Sequence, residues 1–288
     1  MYFFRREKVQ CRYQFSLRDA VDLALLQRAL TAALASAPYY TQRLVQEKRE
    51  MWLEPNTEPC LVYPGSTMRN IPEQTNGYLF CISCEGDTIY FDWHHFLMDG
   101  HGVSPLFTSI LEQYCNLRYG TAFAVQQIVC DPPYDMEAML AEHPPVEGGS
   151  DAIQRDVVQT YEGALRRTRV CLSKQSLVEK ALANNAKPVS ALMGLLCMAM
   201  REYLGKENIQ YSYSSDTRDV AGVPQALYNC VCSFEHTVQL QAQTRLADFV
   251  SDVDADIKRD LQPQSKRRRM TEQMGWVYKV DQQKAPLR

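Results

Sequence analysis

One ten-residue segment concentrates the groups that could do chemistry: Phe91-Asp92-Trp93-His94-His95-Phe96-Leu97-Met98-Asp99-Gly100. Imidazole is the side chain best matched to take up a proton near neutral pH. Two adjacent histidines at the end of a strand point to opposite faces, so only one of His94 and His95 can face a given cleft. Asp99, followed by glycine, is expected in a tight turn that folds back toward the strand end. It could orient an imidazole or lock the loop by pairing with a distant cation. No third ligand is spaced to join His95 and Asp99, so no metal is expected there. The sequence holds no nucleophile elbow, P-loop or dinucleotide fingerprint, and Gly100 and Gly102 lack a third glycine. The simplest chemistry is direct attack by a substrate hydroxyl, amine or thiol that a histidine deprotonates, with no covalent acyl-enzyme.

Composition narrows the class. The 288 residues carry 31 Lys+Arg against 34 Asp+Glu, a formal charge of −3. That balance argues against nucleic acid as a main partner, since phosphate binding needs a basic field. No apolar run reaches the ~18 residues of a membrane span, and Val189 to Met200 reads as a buried helix. The N-terminus places its apolar residues before its charges, the reverse of a signal peptide, so a cytoplasmic location is expected. Cys81 and Cys84 have the C-x-x-C spacing, but Tyr78 to Cys84 reads as a strand that points them to opposite faces. Cys230 and Cys232 share one face of another strand. Buried thiols are expected rather than zinc.

The elements that must position the segment follow. Ser16 with Asp19 suggests a capping box for a helix bearing Leu23, Leu26, Leu30, Ala33 and Leu34, stopped by Pro38. Trp52-Leu53-Glu54-Pro55-Asn56 suggests strand and turn. Tyr78–Cys84 and Thr88–His95 form a hairpin around Glu85-Gly86-Asp87. Ser104 and Pro105 suit the cap and first turn of the next helix. His143 to Ser150 gives the clearest linker signal. A strand is expected near Thr168 to Leu172, then a helix capped by Ser173 and another from Pro188 to near Leu204. Strands are expected at Ile209–Ser215 and Leu227–Leu240, and a last helix is expected after Thr244. The mixed order predicts an α/β two-layer protein divided into residues 1–146 and 147–288. Lys266 to Arg269 reads as a solvated charge run rather than a phosphate contact.

The spacing His94, His95, three residues, Asp99, Gly100 resembles the HHxxxDG signature of the chloramphenicol acetyltransferase-like superfamily. Condensation domains and alcohol acetyltransferase-like proteins belong to that superfamily. Ala37-Pro38-Tyr39-Tyr40 is similar to its helix-then-proline-aromatic unit, and the Trp52–Asn56 stretch to a segment of the alcohol acetyltransferase-like members. Asp216-Thr217-Arg218 and Asn229 resemble its second-lobe pattern. The resemblance implies two α/β lobes with a tunnel between them. It implies His95 as general base, His94 supporting the strand end and Gly100 turning beside the tunnel. It also implies Asp99 paired with an arginine, best Arg218, and Asn229 holding a strand beside the site. The implied co-substrate is acyl-coenzyme A, with an acetyl or other short-chain acyl group and a small-molecule acceptor, and no permanently bound cofactor. A carrier-protein donor, as in condensation domains, and a truncated non-catalytic homologue stay open.

Members with the motif this early in the chain are longer. The second lobe is therefore expected to be partial, with about the final third of the fold lacking a counterpart. Exposed strand edges in such a lobe predict self-association, a possible homo-oligomer. Truncation, a compact variant and completion by another chain all stay open.

Overall fold

The computed structural model describes residues 10–47, 50–125, 127–142, 144 and 170–282. Two compact units emerge, Met1–Tyr134 with Ala221–Cys230, and Asp135–Val220 with Val231–Arg288. The expected division at residue 146 followed composition, whereas packing sets the division after Tyr134. The short helix α3 (Met136–Glu142) already packs on α8 (Pro263–Gln282) in the second unit. Apart from Pro144, the linker 143–150 lies outside the described residues, as do Thr168 and Arg169. Residues 170–172 have no regular structure.

The first unit is a sheet of order β1-β6-β5-β4, formed by β1 (Gln10–Ser16), β4 (Val62–Pro64), β5 (Phe80–Glu85) and β6 (Thr88–His94). Only β4 and β5 pair in parallel. The separate hairpin β2–β3 (Gln42–Glu47, Glu50–Pro55) contains the expected Trp52 strand. Helices α1 (Leu23–Ala35) and α2 (Gly100–Tyr119) contribute their apolar faces to the core, which β5 and β6 share. Phe80 and Phe91 stack with centroids 5.5 Å apart, and Phe107 of α2 meets Phe91 edge-on. Cys81 and Cys84 lie on strand β5 and are buried.

Two helix starts differ from expectation. Ser16 ends β1 and pairs with the Thr88 hydroxyl, while Asp22 caps α1 by accepting from the Leu25 N–H. Helix α2 begins at Gly100, so Pro105 sits inside it rather than in its first turn. Asp99 is the cap because its carboxylate reaches the Gly102 N–H, as a short acceptor at that position does.

The second unit packs α4 (Lys174–Ala183), α5 (Pro188–Leu204), α7 (Leu246–Asp260) and α8 with the antiparallel pair β7 (Asn208–Asp216) and β8 (Val231–Gln239). The short α6 (Arg218–Ala221) follows β7. Ser173 caps α4 as expected. Helix α5 is buried on one face only. Ser190, Ala191, Gly194 and Cys197 face inward, while Val189, Leu196 and Met200 are exposed, as a 3.6-residue period dictates for a one-sided contact. Strand β8 starts at Val231, later than expected, because residues 221–230 belong to the first unit; Cys230 thus precedes the strand that holds Cys232. The charge run is not wholly solvated. Lys266 is buried against Asp219, and Arg269 donates to the Ser233 carbonyl. Among the described residues no helix is long and apolar enough to cross a membrane.

Two carboxylates anchor these units. Asp92 is buried and takes a two-pronged hydrogen bond from the Arg12 guanidinium (2.6 and 2.7 Å), which raises the arginine further. Asp92→Ala should destabilise the first unit by about 3 kcal/mol, because it strands a half-buried cation; chemical denaturation measures it, and a loss below about 1 kcal/mol would contradict it. In the second unit burial pushes Asp254 up, but Lys258, the Lys187 N–H and Ser190 outweigh it and hold the acid down to about 2. A depressed carboxylate stabilises above its unfolded pKa, and the gain fades as pH falls through the folded value. Wild type should therefore lose stability between about pH 4 and 2, and Asp254→Asn should flatten that slope in acid melts.

Candidate active site

The site is built where β6 ends. His94 is the last residue of β6 and is buried, with its Nδ1 accepting from the Phe96 N–H at 3.2 Å. His95 lies in the turn that follows and is half-buried. The turn closes with the Leu97 N–H on the His94 carbonyl.

Aromatic donors pin this turn and the helix start that follows it. The Trp93 indole donates to the Met98 carbonyl at 3.0 Å. The Tyr39 hydroxyl donates to the Leu97 carbonyl at 2.5 Å, and Tyr40 donates to the Gly102 carbonyl at 2.6 Å. Burial pushes the Tyr39 phenol up, so it stays a donor. The Pro38-Tyr39-Tyr40 turn thus acts as a clamp on the loop, a role that spacing alone does not reveal.

Asp99 ties the loop to the returning segment. Its Oδ1 accepts from the Gly102 N–H (2.7 Å) and its Oδ2 from the Cys230 N–H (2.9 Å), with the residue 2 % exposed. That second bond places Asn229 beside His95. The Asn229 amide nitrogen lies 2.9 Å from His95 Nδ1 and donates to the His95 carbonyl at 3.2 Å. The return is itself held by Asp131, which accepts from the Gln225 N–H, and by the Tyr228 hydroxyl on the Pro132 carbonyl.

The contact fits either neutral tautomer, according to which atom of the Asn229 amide faces the ring. An amide N–H aimed at Nδ1 leaves the ring proton on Nε2. Proton uptake at Nε2 needs the other tautomer, for which Asn229 must turn its amide and present Oδ1 to an Nδ1–H.

Two glycines are set by space. Gly100 needs no left-handed backbone; a Cβ there would lie 2.9 Å from the Tyr13 hydroxyl. At Gly102 a Cβ would sit 1.9 Å from the Leu227 carbonyl oxygen. Gly102 therefore lets the return approach the helix start, and only the contact itself could have identified it. Arg218 belongs to the second unit, where it is buried and pairs with Asp216 at 3.2 Å. Among the described residues no group of three or more His, Cys, Asp or Glu side chains is arranged to hold a metal ion.

No family model matches the chain, and no curated protein matches it. Solved structures do. Polyketide synthase associated protein 5 from Mycobacterium tuberculosis superposes with a TM-score of 0.66 at 20% identity, over 90% of this chain and 71% of that one. The fold is chloramphenicol acetyltransferase-like. The same α/β arrangement recurs in the epimerization domain from the third module of tyrocidine synthetase B (TM-score 0.60, 14% identity, 95% of this chain and 72% of that one). It recurs again in F. graminearum TRI101 complexed with coenzyme A and deoxynivalenol (0.58, 11%, 93% and 74%).

Gly102→Ala should force the return off the helix start and cost about 1–3 kcal/mol, the usual range for overpacking. It should also change the His95 ring environment, read as a shift of its imidazole resonances. An unchanged melt with unchanged resonances would show that the contact holds nothing.

Proposed function

We propose that this chain is an acyltransferase that moves an acetyl or other short-chain acyl group from coenzyme A to a small acceptor, with His95 as general base. The observation that carries this reading is His95 itself: a half-buried imidazole, fixed by Asn229 on a loop pinned through its main chain. Main-chain anchoring fixes where the ring sits, so only its tautomer and the Asn229 amide have to be set before the reaction.

The chemistry balances without an intermediate on the protein. Nε2 of His95, in the Nδ1–H tautomer, takes the proton of the acceptor hydroxyl. The oxygen attacks the thioester carbonyl, the C–O bond forms and the C–S bond breaks. The imidazolium returns its proton to the departing thiolate. Turning the Asn229 amide to accept from Nδ1–H is part of the proposal. The role implied for Asp99 here is structural, since both its oxygens already hold main-chain N–H groups. Its implied partnership with Arg218 belongs to the same proposal. The binding of coenzyme A by TRI101 supports the thioester donor. The likeness to condensation domains favours a second reading, with the acyl group supplied by a carrier protein; a screen with acylated carrier separates the two donors. Shared fold alone does not decide between them.

His95→Ala should lower thiol release from acetyl-coenzyme A, with a panel of alcohols, by about 10²–10⁴-fold; unchanged turnover would refute the base. Asn229→Asp tests the tautomer. A carboxylate accepts from Nδ1–H and favours the imidazolium, so turnover should survive and its acid limb should move to higher pH. Loss of activity at every pH in a folded Asn229→Asp protein would instead mark Nε2–H as a donor.

A further inference from the structure

Strand β7 of the second unit has one edge that nothing described meets. The Leu240 N–H donates to the Glu207 carbonyl at 2.7 Å, and these residues stand just after β8 and just before β7, in the same register. They are thus a hydrogen-bonded pair, and in an antiparallel ladder such pairs alternate with pairs whose main-chain groups point outward. The odd-numbered residues of β7 face β8. Asn208, Gln210, Ser212, Ser214 and Asp216 turn their N–H and C=O groups away from it. The first four are exposed, and their outward groups bond to no described residue.

The partner strand is treated differently. The same parity turns Ser233 of β8 outward, and α8 covers it there: Gln273 accepts from its N–H at 3.3 Å and Arg269 donates to its carbonyl at 2.6 Å. Strand β7 has no such cover. Its nine residues include no Lys, Arg, Pro or Gly, and its register holds no bulge, so the usual guards of an edge are missing. An edge of this kind is a template for another strand.

The sequence of β7 suits a second copy of itself. Set antiparallel about Ser212, Asn208 lies opposite Asp216, Gln210 opposite Ser214, and Ser212 opposite Ser212, so outward main-chain groups meet outward groups throughout. The one charge of the strand faces an amide, and no like charges oppose each other. On the other face Tyr211 lies opposite Tyr213. That pairing extends an aromatic run in which Tyr211 stacks on His236 and Tyr213 on Phe234, with centroids 5.4 and 5.7 Å apart. Helix α5 packs on β7 and exposes Val189, Leu196, Met200 and Tyr203 along one face. A two-fold normal to the sheet keeps both α5 helices on the same side of it.

We propose that two copies of this chain join through β7, antiparallel about Ser212, in one continuous sheet of order β8-β7-β7-β8. The pairing needs no part of the acyl-transfer chemistry.

Sedimentation velocity of the full chain tests it. The mass should rise to that of a dimer as concentration is raised through the micromolar range. Ser212→Pro should stay a single chain over the same range with an unchanged circular dichroism spectrum, since the N–H it removes faces outward. Ser212→Lys and Ser212→Glu should each weaken the dimer by up to about fivefold, because like charges then meet at the axis. An equimolar mixture of the two should associate more tightly than either alone. A wild-type chain that stays single, a dimer that survives Ser212→Pro, or a mixture no tighter than its components would overturn the proposal.

Discussion

A single buried carboxylate organises the first unit around its site. Asp99 is shut away from water, and a buried anion is tolerated only when hydrogen bonds replace its hydration. Among the replacements are two main-chain N–H groups, Gly102 three residues on at the helix start and Cys230 on the distant return. Bonds to a charged group are each worth about 1.5–3 kcal/mol. Satisfying Asp99 therefore requires the chain to come back, and coming back sets Asn229 against His95.

Everything near the imidazole serves that closure. Gly102 gives the return room to approach, and Asp131 and Tyr228 hold the return in place. Tyr39 and Trp93 fix the loop by donating to its carbonyls, and Tyr40 fixes the start of the helix behind it by donating to the Gly102 carbonyl. His95 alone keeps partial exposure among the two histidines. Rigid main-chain anchoring with one accessible ring is the arrangement expected of a preorganised base.

The sequence revealed the motif, most strands and the helices Lys174–Ala183, Pro188–Leu204 and Leu246–Asp260, because those follow from local periodicity and turn chemistry. It missed α8, where the Lys266–Arg269 run reads as solvated charge rather than helix. It misread the start of α2, since Ser104-Pro105 is a good local cap signal while the true cap, Asp99, had been assigned to chemistry. It ran Leu227–Leu240 together as one strand, because nothing in a stretch such as Ala226-Leu227-Tyr228-Asn229 announces that the chain crosses to another unit. Lys266 looked solvated because its partner Asp219 is 47 residues away. The clamp tyrosines and Gly102 were illegible for the same reason: their roles exist only as contacts between segments distant in the chain.

The account turns on which nitrogen of His95 is free to accept a proton. Nitrogen-15 NMR of the histidine-labelled protein, saturated with coenzyme A, reads this without turnover. The account predicts that the neutral ring of the complex carries its proton on Nδ1, facing Asn229, with Nε2 bare. A proton that stays on Nε2 in a protein shown to be active in acyl transfer would contradict it.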